Sequence, residues 1–190
     1  IPCLLLKDLG LVKTIKFKNP QYIGDPMNAV RIFNKKKADE LIFLDIMASL
    51  GNRKLEISLI KEIGEECNMP FAVGGGVKSM KDIERLFKAG AEKVIINSFA
   101  TIDSSIIKIA SEHFGSQSII VAVDVKKKFF GGYNIYSFGG KNAVNISIKD
   151  YIKIIDDQGA GEIFINSIDR DGTSSGYDID IIRFISGLVN

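Results

Sequence analysis

The sequence is poor in the residues that build metal and redox centres. It contains one histidine, His113, and two cysteines, Cys3 and Cys67, which are 64 positions apart and form no CxxC pair. Such spacing indicates a reducing compartment without a disulfide or zinc site. A lone histidine late in a helix-patterned stretch is typical of a surface or capping residue. The sequence therefore predicts no metal site and no cofactor.

Long apolar runs and an excess of one charge are also missing. No stretch approaches the ~20 apolar residues of a membrane span, and no signal peptide is visible. The 25 Lys and Arg residues nearly balance the 23 Asp and Glu residues. Nothing in this balance requires a nucleic acid or a membrane as partner. We therefore expect a cytoplasmic protein without either partner.

Short apolar runs alternate with helix-patterned stretches along the whole chain. Six runs are predicted strands, namely Ile1–Leu6, Leu41–Leu44, Pro70–Val73, Lys93–Ile96, Ser118–Val123 and Glu162–Ile165. The predicted helices are Pro26–Lys36, Leu55–Asn68, Ser79–Ala89, Asp103–Phe114, Ser147–Asp157 and Asp178–Leu188. Two long loops remain, of which Lys7–Gly24 alternates like a small hairpin and Lys126–Asn145 does not. Six consecutive βα units predict a parallel sheet with helices outside.

An internal repeat distinguishes a closed barrel from an open sheet. The stretches Ala38–Asp45, Ala91–Ser98 and Ala160–Ser167 are similar to one another, and Pro2–Lys7 is similar to Val121–Lys126. Correspondence between the first and the third pair of units is typical of a barrel made of two similar halves. The prediction is an α/β fold, a (β/α)8 TIM barrel, forming a single domain over residues 1–190 that lacks the last two βα units.

Charged residues recur at one position of the repeat. Glu40, Lys93 and Glu162 each begin a strand, on the face that alternation assigns to the barrel interior. We expect them to pair at the bottom of the barrel. The alternative is solvated charge flanking the strands.

The opposite strand ends carry the residues suited to chemistry. Asp124 ends a buried apolar run, and in parallel barrels the active sites lie at the carboxyl ends of the strands. It is therefore a catalytic candidate, with capping of the next loop as the alternative.

Two loops at these ends are candidates for a functional role. Gly74–Gly76 precede a helix start and offer backbone N–H groups to a phosphate, which Asn97 and Ser98 could complete. A tight turn would use the three glycines equally well. The 169–173 segment DRDGT is rich in functional residue types, with an Asx turn and an Arg–Asp pair as the alternative.

These motifs together resemble one enzyme family. IPCLLLKD, GDP, ELIFLDIMAS, FAVGGGVKS, GAEKVIINSFA, HFGSQSIIVAVDVK and GAGEIFINSIDRDGTSSGYD are similar, in order, to the cyclase subunit of imidazole glycerol phosphate synthase, a (β/α)8 barrel of histidine biosynthesis. The resemblance implies that a glutaminase subunit docks at the barrel bottom and releases ammonia. It further implies that the ammonia crosses the interior to a phosphorylated ligand, a bis-phosphate ribonucleotide, at the top.

The resemblance also implies roles for individual positions. The ammonia gate corresponds to Glu40, Lys93 and Glu162, and one catalytic aspartate to Asp124. The first phosphate site corresponds to Gly75, Gly76, Asn97 and Ser98, and the second begins at Asp171 and Gly172.

One position departs from the family. Leu5 stands where the family has its other catalytic aspartate, and the internal repeat places Leu5 over Asp124. Loss of one acid of a pair typically removes ~10²–10⁴-fold of rate. We therefore expect a paralogue that, with its glutaminase, supplies ammonia to a separate amidotransferase making acetamidino sugars of surface polysaccharide. The alternatives are a working cyclase in which Asp8 or Asp45 assists Asp124, and a barrel kept only as a scaffold.

Overall fold

The computed structural model describes residues 1–49 and 55–189. This part of the chain contains ten strands and six α-helices. The strands are β1 Cys3–Lys7, β2 Gly10–Ile15, β3 Lys18–Gly24, β4 Leu41–Asp45, β5 Phe71–Gly74, β6 Lys93–Ile96, β7 Ile119–Lys127, β8 Tyr133–Ser137, β9 Asn142–Val144 and β10 Glu162–Ser167. The helices are α1 Pro26–Lys36, α2 Ile57–Glu66, α3 Met80–Lys88, α4 Ser105–Phe114, α5 Ile148–Asp157 and α6 Ile179–Ser186.

Six of these strands form a parallel sheet in the order β1, β4, β5, β6, β7, β10. The sheet has an apolar layer on each face, because its strands alternate side chains between them. Phe43, Val73 and Val121 belong to the larger core that the helices cover. The inner face carries a smaller cluster, Ile42, Ala72, Ile95, Ile120 and Ala122, with Leu44 and Phe164 against it. The predicted α/β fold is confirmed as a partial (β/α)8 barrel.

Side chains at the N-cap positions of α1 and α3 bind the first turn of each helix. Asp25 accepts from the Asn28 amide at 3.0 Å ahead of α1. Ser79 Oγ accepts from the Asp82 amide at 3.2 Å and donates to the Asp82 carboxylate at 2.7 Å. This capping box fixes the start of α3 just after the glycine run that ends β5.

Two antiparallel hairpins extend the sheet at its carboxyl end. The hairpin expected within Lys7–Gly24 is confirmed, since β2 pairs with both β1 and β3. The loop predicted over Lys126–Asn145 is wrong, because it contains β8 and β9. For the same reason β7 continues to Lys127 instead of ending at Val123, as Asp124–Lys127 pair with β8. Within the described ranges, no helix is long and apolar enough to cross a membrane.

Candidate functional site

A cavity of about 880 Å³ opens where the parallel strands end. Both hairpins contribute to its wall, β2–β3 through Thr14 and Phe17 and the β8–β9 turn through Phe138 and Gly139. The cavity also collects eight of the residues predicted at the barrel top, namely Leu5, Gly75, Gly76, Asn97, Ser98, Asp124, Asp171 and Gly172. Residues from separate βα units thus meet in one place, although their predicted roles remain predictions.

Asp124 is held by two amide side chains on the neighbouring strands. Its Oδ2 accepts from Asn97 Nδ2 at 2.9 Å and its Oδ1 from Asn166 Nδ2 at 2.8 Å. The geometry follows from the sheet, because β6 and β10 both flank β7 and Asn166 lies opposite Asp124 in register. The carboxylate is therefore positioned by strands and not by the loop that follows it.

Burial dominates the electrostatics of this carboxylate. Asp124 is only 3% exposed. Burial raises the pKa of the carboxyl above its ordinary value, and the amide bonds from Asn166 and Asn97 offset only part of that rise. A nearby acid, Asp171, adds to the rise. The site thus favours the protonated form more than water does.

Leu5 faces this cavity without any acid–base capacity. It lies on β1 opposite Leu44 of β4, and both side chains line the cavity. Asp45 also lines it, with Oδ1 accepting from the amides of Met47 and Ala48 at 2.9 and 3.1 Å. Asp8 is exposed in the turn after β1 and is not part of the wall. Of the two acids that could assist Asp124, the structure places Asp45 in the same cavity.

The glycine run after β5 passes too close to β4 for any side chain. Gly75 and Gly76 have φ values of +118° and +66°. A Cβ on Gly75 would lie 2.5 Å from the Asp45 carbonyl oxygen, and one on Gly76 would lie 2.9 Å from Ala48 Cβ. Bare backbone therefore lines the cavity here, beside Asn97 and Ser98 of the next unit. Backbone of this kind can donate N–H groups to an anion.

Asn97 and Ser98, in the next βα unit, differ in how their side-chain oxygens are hydrogen-bonded. Ser98 Oγ accepts from the Phe138 amide at 2.8 Å, which joins the β6–α4 loop to the turn after β8. Asn97 Oδ1 is buried and has no hydrogen-bond partner. A buried amide oxygen without a partner is costly. It leaves an acceptor available beside Asp124.

Asp171 fastens the first hairpin over the cavity. Its Oδ2 accepts from Thr14 Oγ1 at 2.8 Å and from the Phe17 amide at 3.0 Å, and its carbonyl accepts from the Lys16 amide at 2.9 Å. A Cβ on the next residue, Gly172, would overlap the Thr14 carbonyl oxygen. The expected alternative of an Arg–Asp pair is wrong, since Arg170 donates to the Ser175 carbonyl at 2.8 Å.

At the other end of the barrel, three charges meet. Lys93 Nζ lies 2.9 Å from Glu40 Oε2 and 2.6 Å from Glu162 Oε1. The side chains of Glu40, Lys93 and Glu162 are 12, 21 and 42% exposed, so the alternative of freely solvated charge is wrong for the first two. Burial lowers the pKa of the Lys93 ammonium, but the bonds and charges of the two glutamates outweigh it and the net shift is upward.

Sequence reasoning missed several residues of the top site. Asn166 could have been found, because the repeat places it and Asn97 at equivalent strand ends on either side of Asp124. Thr14 gave no signal, since its partner Asp171 is 157 positions away. Within the described ranges, no cluster of three His, Cys, Asp or Glu side chains is placed to hold a metal ion.

Comparison with known proteins agrees with this geometry. The family model described as histidine biosynthesis protein matches residues 1–190. A Pseudomonas aeruginosa protein, named provisionally as imidazole glycerol phosphate synthase subunit hisF2, is 47% identical over all of this chain and 76% of its own length. A Leptospira borgpetersenii protein, provisionally named as the HisF subunit of that synthase, is 44% identical over 99% of this chain and 74% of its own length.

A third relative is named as the HisF subunit without the provisional wording used for the first two. The imidazole glycerol phosphate synthase subunit HisF of Streptococcus mutans is 38% identical over all of this chain and 76% of its own length. Matches of this extent confirm the resemblance drawn from the motifs. The chain belongs to the histidine biosynthesis protein family, as a HisF-like member.

Proposed function

We propose that this chain is the barrel subunit of a glutamine amidotransferase that conducts ammonia for an enzyme other than itself. A glutaminase docks at the bottom of the barrel and releases ammonia there. The ammonia crosses the apolar interior to the cavity at the top. A separate amidotransferase then uses it to make an acetamidino sugar. The observation that carries this proposal is Leu5 in the cavity wall, at the position where the family has an acid.

The charges at the bottom support the entry step. Lys93 bridges Glu40 and Glu162 at the start of the interior face, and the side chains above them are apolar, from Ile42 and Ile95 to Phe164. An apolar passage favours neutral ammonia over ammonium, because burying an unpaired charge is costly. The upward shift of the Lys93 pKa keeps its ammonium charged, so it does not take up a proton from ammonium.

The top of the barrel supports ligand binding without cyclisation. The backbone at Gly75 and Gly76, with Asn97 and Ser98 beside it, suits the phosphate of a small-molecule ligand. Asp124 is present as one proton-transfer group, but Leu5 cannot accept or donate a proton. Loss of one acid of a pair removes ~10²–10⁴-fold of rate.

The test measures glutamine use and product formation in the full-length protein with its cognate glutaminase. We expect the barrel to raise glutamine hydrolysis and to support glutamine-driven sugar amidation. Lys93→Ala should lower the glutamine-driven product and leave the ammonium-driven product unchanged. Lys61→Ala, at a mostly exposed lysine on α2, is the matched control. A barrel that left glutaminase turnover unchanged would contradict the proposal, and a barrel kept only as a scaffold predicts no effect of Lys93→Ala.

A second candidate is a working histidine-pathway cyclase. It is favoured by one observation, namely that Asp45 lines the same cavity as Asp124. In this reading the two acids share the proton transfers despite Leu5. Rescue of a histidine auxotroph by the full-length gene, and loss of rescue in Asp45→Asn, would support it over ammonia delivery.

A further inference from the structure

Two exposed aromatic side chains, Phe129 and Phe130, lie at the tip of the β7–β8 hairpin at the top of the barrel. Phe129 and Phe130 are 95 and 96% exposed, and their rings meet edge to face with centroids 5.0 Å apart. Three exposed lysines, Lys126, Lys127 and Lys128, lead into this pair. The tip is separate from the cavity wall, because none of the residues 126–132 lines the cavity.

Hydrogen bonds at the base of this hairpin fix the position of its tip. The Lys127 amide donates to Asp169 Oδ2 at 2.8 Å, and Tyr133 Oη donates to Asp178 Oδ1 at 2.8 Å. Across the turn itself, the Lys128 amide donates to the Gly132 carbonyl at 2.9 Å. The tip therefore presents two apolar rings on a fixed support, which lowers the entropic cost of docking.

Other exposed apolar side chains lie on the rim of the cavity. Ile23 of β3 and Ile102 of the β6–α4 loop are both exposed, and both line the opening. Single exposed apolar residues are ordinary, but here they come from three separate segments at the same end of the barrel. Burying the two rings alone would remove roughly 300–500 Å² from water. The top face thus has the apolar anchor and basic rim of a protein interface.

The position of this face decides between possible occupants. Ammonia leaving the cavity must pass the rim that carries Ile23 and Ile102. A lipid bilayer lying across the opening would separate it from a water-soluble acceptor, whereas a docked enzyme would continue the passage. The lysines call for an acidic surface around the apolar contact.

We propose that the Phe129–Phe130 tip is the docking element for the ammonia-consuming amidotransferase, which receives it in an apolar pocket with an acidic rim. This inference rests on the proposed function and adds a contact to it. The contact holds the acceptor over the cavity, so that ammonia is transferred before it is lost to solvent.

The test compares the full-length wild type with Phe129→Ser/Phe130→Ser and with Ile109→Ser, a control at an exposed apolar residue of α4 on the barrel exterior. Each barrel is combined with glutaminase and titrated with the sugar amidotransferase. Three rates are recorded, namely glutamine hydrolysis, glutamine-driven product and ammonium-driven product.

The double variant should need at least about tenfold more amidotransferase for half-maximal glutamine-driven product. Its glutamine hydrolysis and ammonium-driven product should match those of the wild type and of Ile109→Ser, which shows that the barrel is folded. Lys128→Glu should weaken the same titration without affecting the other two rates.

Two results would overturn the inference. The first is an unchanged titration in both the double variant and Lys128→Glu. The second is sedimentation of the wild type, but not the double variant, with phosphatidylglycerol vesicles while the titration stays unchanged, which would assign the tip to an anionic membrane. Failure of the proposed function is a separate result, in which the wild type gives no glutamine-driven product at all. That result would overturn the proposed function and, with it, the docking inference.

Discussion

Leu5 and the hydrogen bonds that Asn97 and Asn166 donate to Asp124 together determine which chemistry is available at the top of the barrel. A proton-transfer pair needs two groups that can exchange protons, and only Asp124 of these two positions can do so. Both oxygens of Asp124 already accept hydrogen bonds, from Asn97 and Asn166. The carboxylate is thus held in one orientation by side chains of the two neighbouring strands.

Replacing Asp124 by asparagine should change the pH dependence of stability. Its pKa is higher in the folded protein than the ordinary value of 3.8, because it is buried. A group with a raised folded pKa binds more protons when folded, so its stabilising contribution is present at low pH and is lost as pH rises. The free energy of unfolding of Asp124→Asn, relative to that of the wild type, should therefore rise as the pH is raised from about 4 towards neutral. Urea denaturation across this range measures the difference.

Asp178→Asn provides a control of opposite sign. The pKa of Asp178 is lowered, because the bonds from Tyr133 and Ser167 outweigh its burial. Its contribution to stability is present at neutral pH and is lost as pH falls. Asp178→Asn should therefore lose stability relative to the wild type as pH rises. Equal slopes for the two variants would contradict the assignment for Asp124.

Removing the ammonium at the barrel bottom should destabilise the fold. Lys93→Met leaves the Glu40 carboxylate without its partner at a largely buried position. We expect a loss of about 1–3 kcal/mol in the free energy of unfolding. Glu162→Gln, at the more exposed glutamate, should cost less than about 1 kcal/mol. Urea denaturation at neutral pH tests both, and a larger loss for Glu162→Gln would contradict this ranking.

The hairpins are the elements that turn strand ends into an enclosed cavity. Hairpin β2–β3 is attached to the distant β10–α6 loop by three hydrogen bonds to Asp171. Hairpin β7–β8 is fastened to the same loop through Asp169 and Asp178. The loop after β10 thus positions both hairpins, and its acids act as acceptors for them.

Loss of the Asp171 carboxylate should loosen the first hairpin selectively. Asp171→Ala removes the acceptor of Thr14 Oγ1 and of the Phe17 amide. Bonds to a charged acceptor contribute about 1.5–3 kcal/mol, so amide exchange over β2–β3 should accelerate about tenfold or more. Thr14→Val removes one of the two bonds and should have a smaller effect. Hydrogen–deuterium exchange read by mass spectrometry measures this, and unchanged exchange over residues 14–17 would refute the attachment.

The elements that sequence predicted are those specified locally. The strand Lys93–Ile96 agrees with the structure at both ends, and α3 begins at Met80, one residue from the predicted start at Ser79. The β8–β9 hairpin was missed because β8 depends on pairing with β7 and both strands are short. The hydrogen bonds from Asn97 and Asn166 to Asp124 were missed for a related reason, since they form only when β6 and β10 pair with β7.

The barrel as a whole separates two kinds of surface along one axis. Its bottom carries the paired charges around Lys93, and its interior is apolar. Its top carries the bare backbone at Gly75 and Gly76 and the carboxylate of Asp124. The internal repeat predicted this arrangement, because equivalent strands place equivalent positions at the same end. An apolar interior between paired charges and a polar cavity is consistent with the proposed delivery of ammonia.

The central claim is that this barrel conducts ammonia without carrying out the family's cyclisation. The most direct measurement is the ammonium-driven cyclisation rate on the bis-phosphate ribonucleotide, for the full-length wild type and for Leu5→Asp, with binding of that ligand measured in both. We predict that both bind the ligand and that the wild type turns over at least ~10²-fold more slowly than Leu5→Asp. A wild type as fast as Leu5→Asp would contradict the claim and assign the protein to histidine biosynthesis.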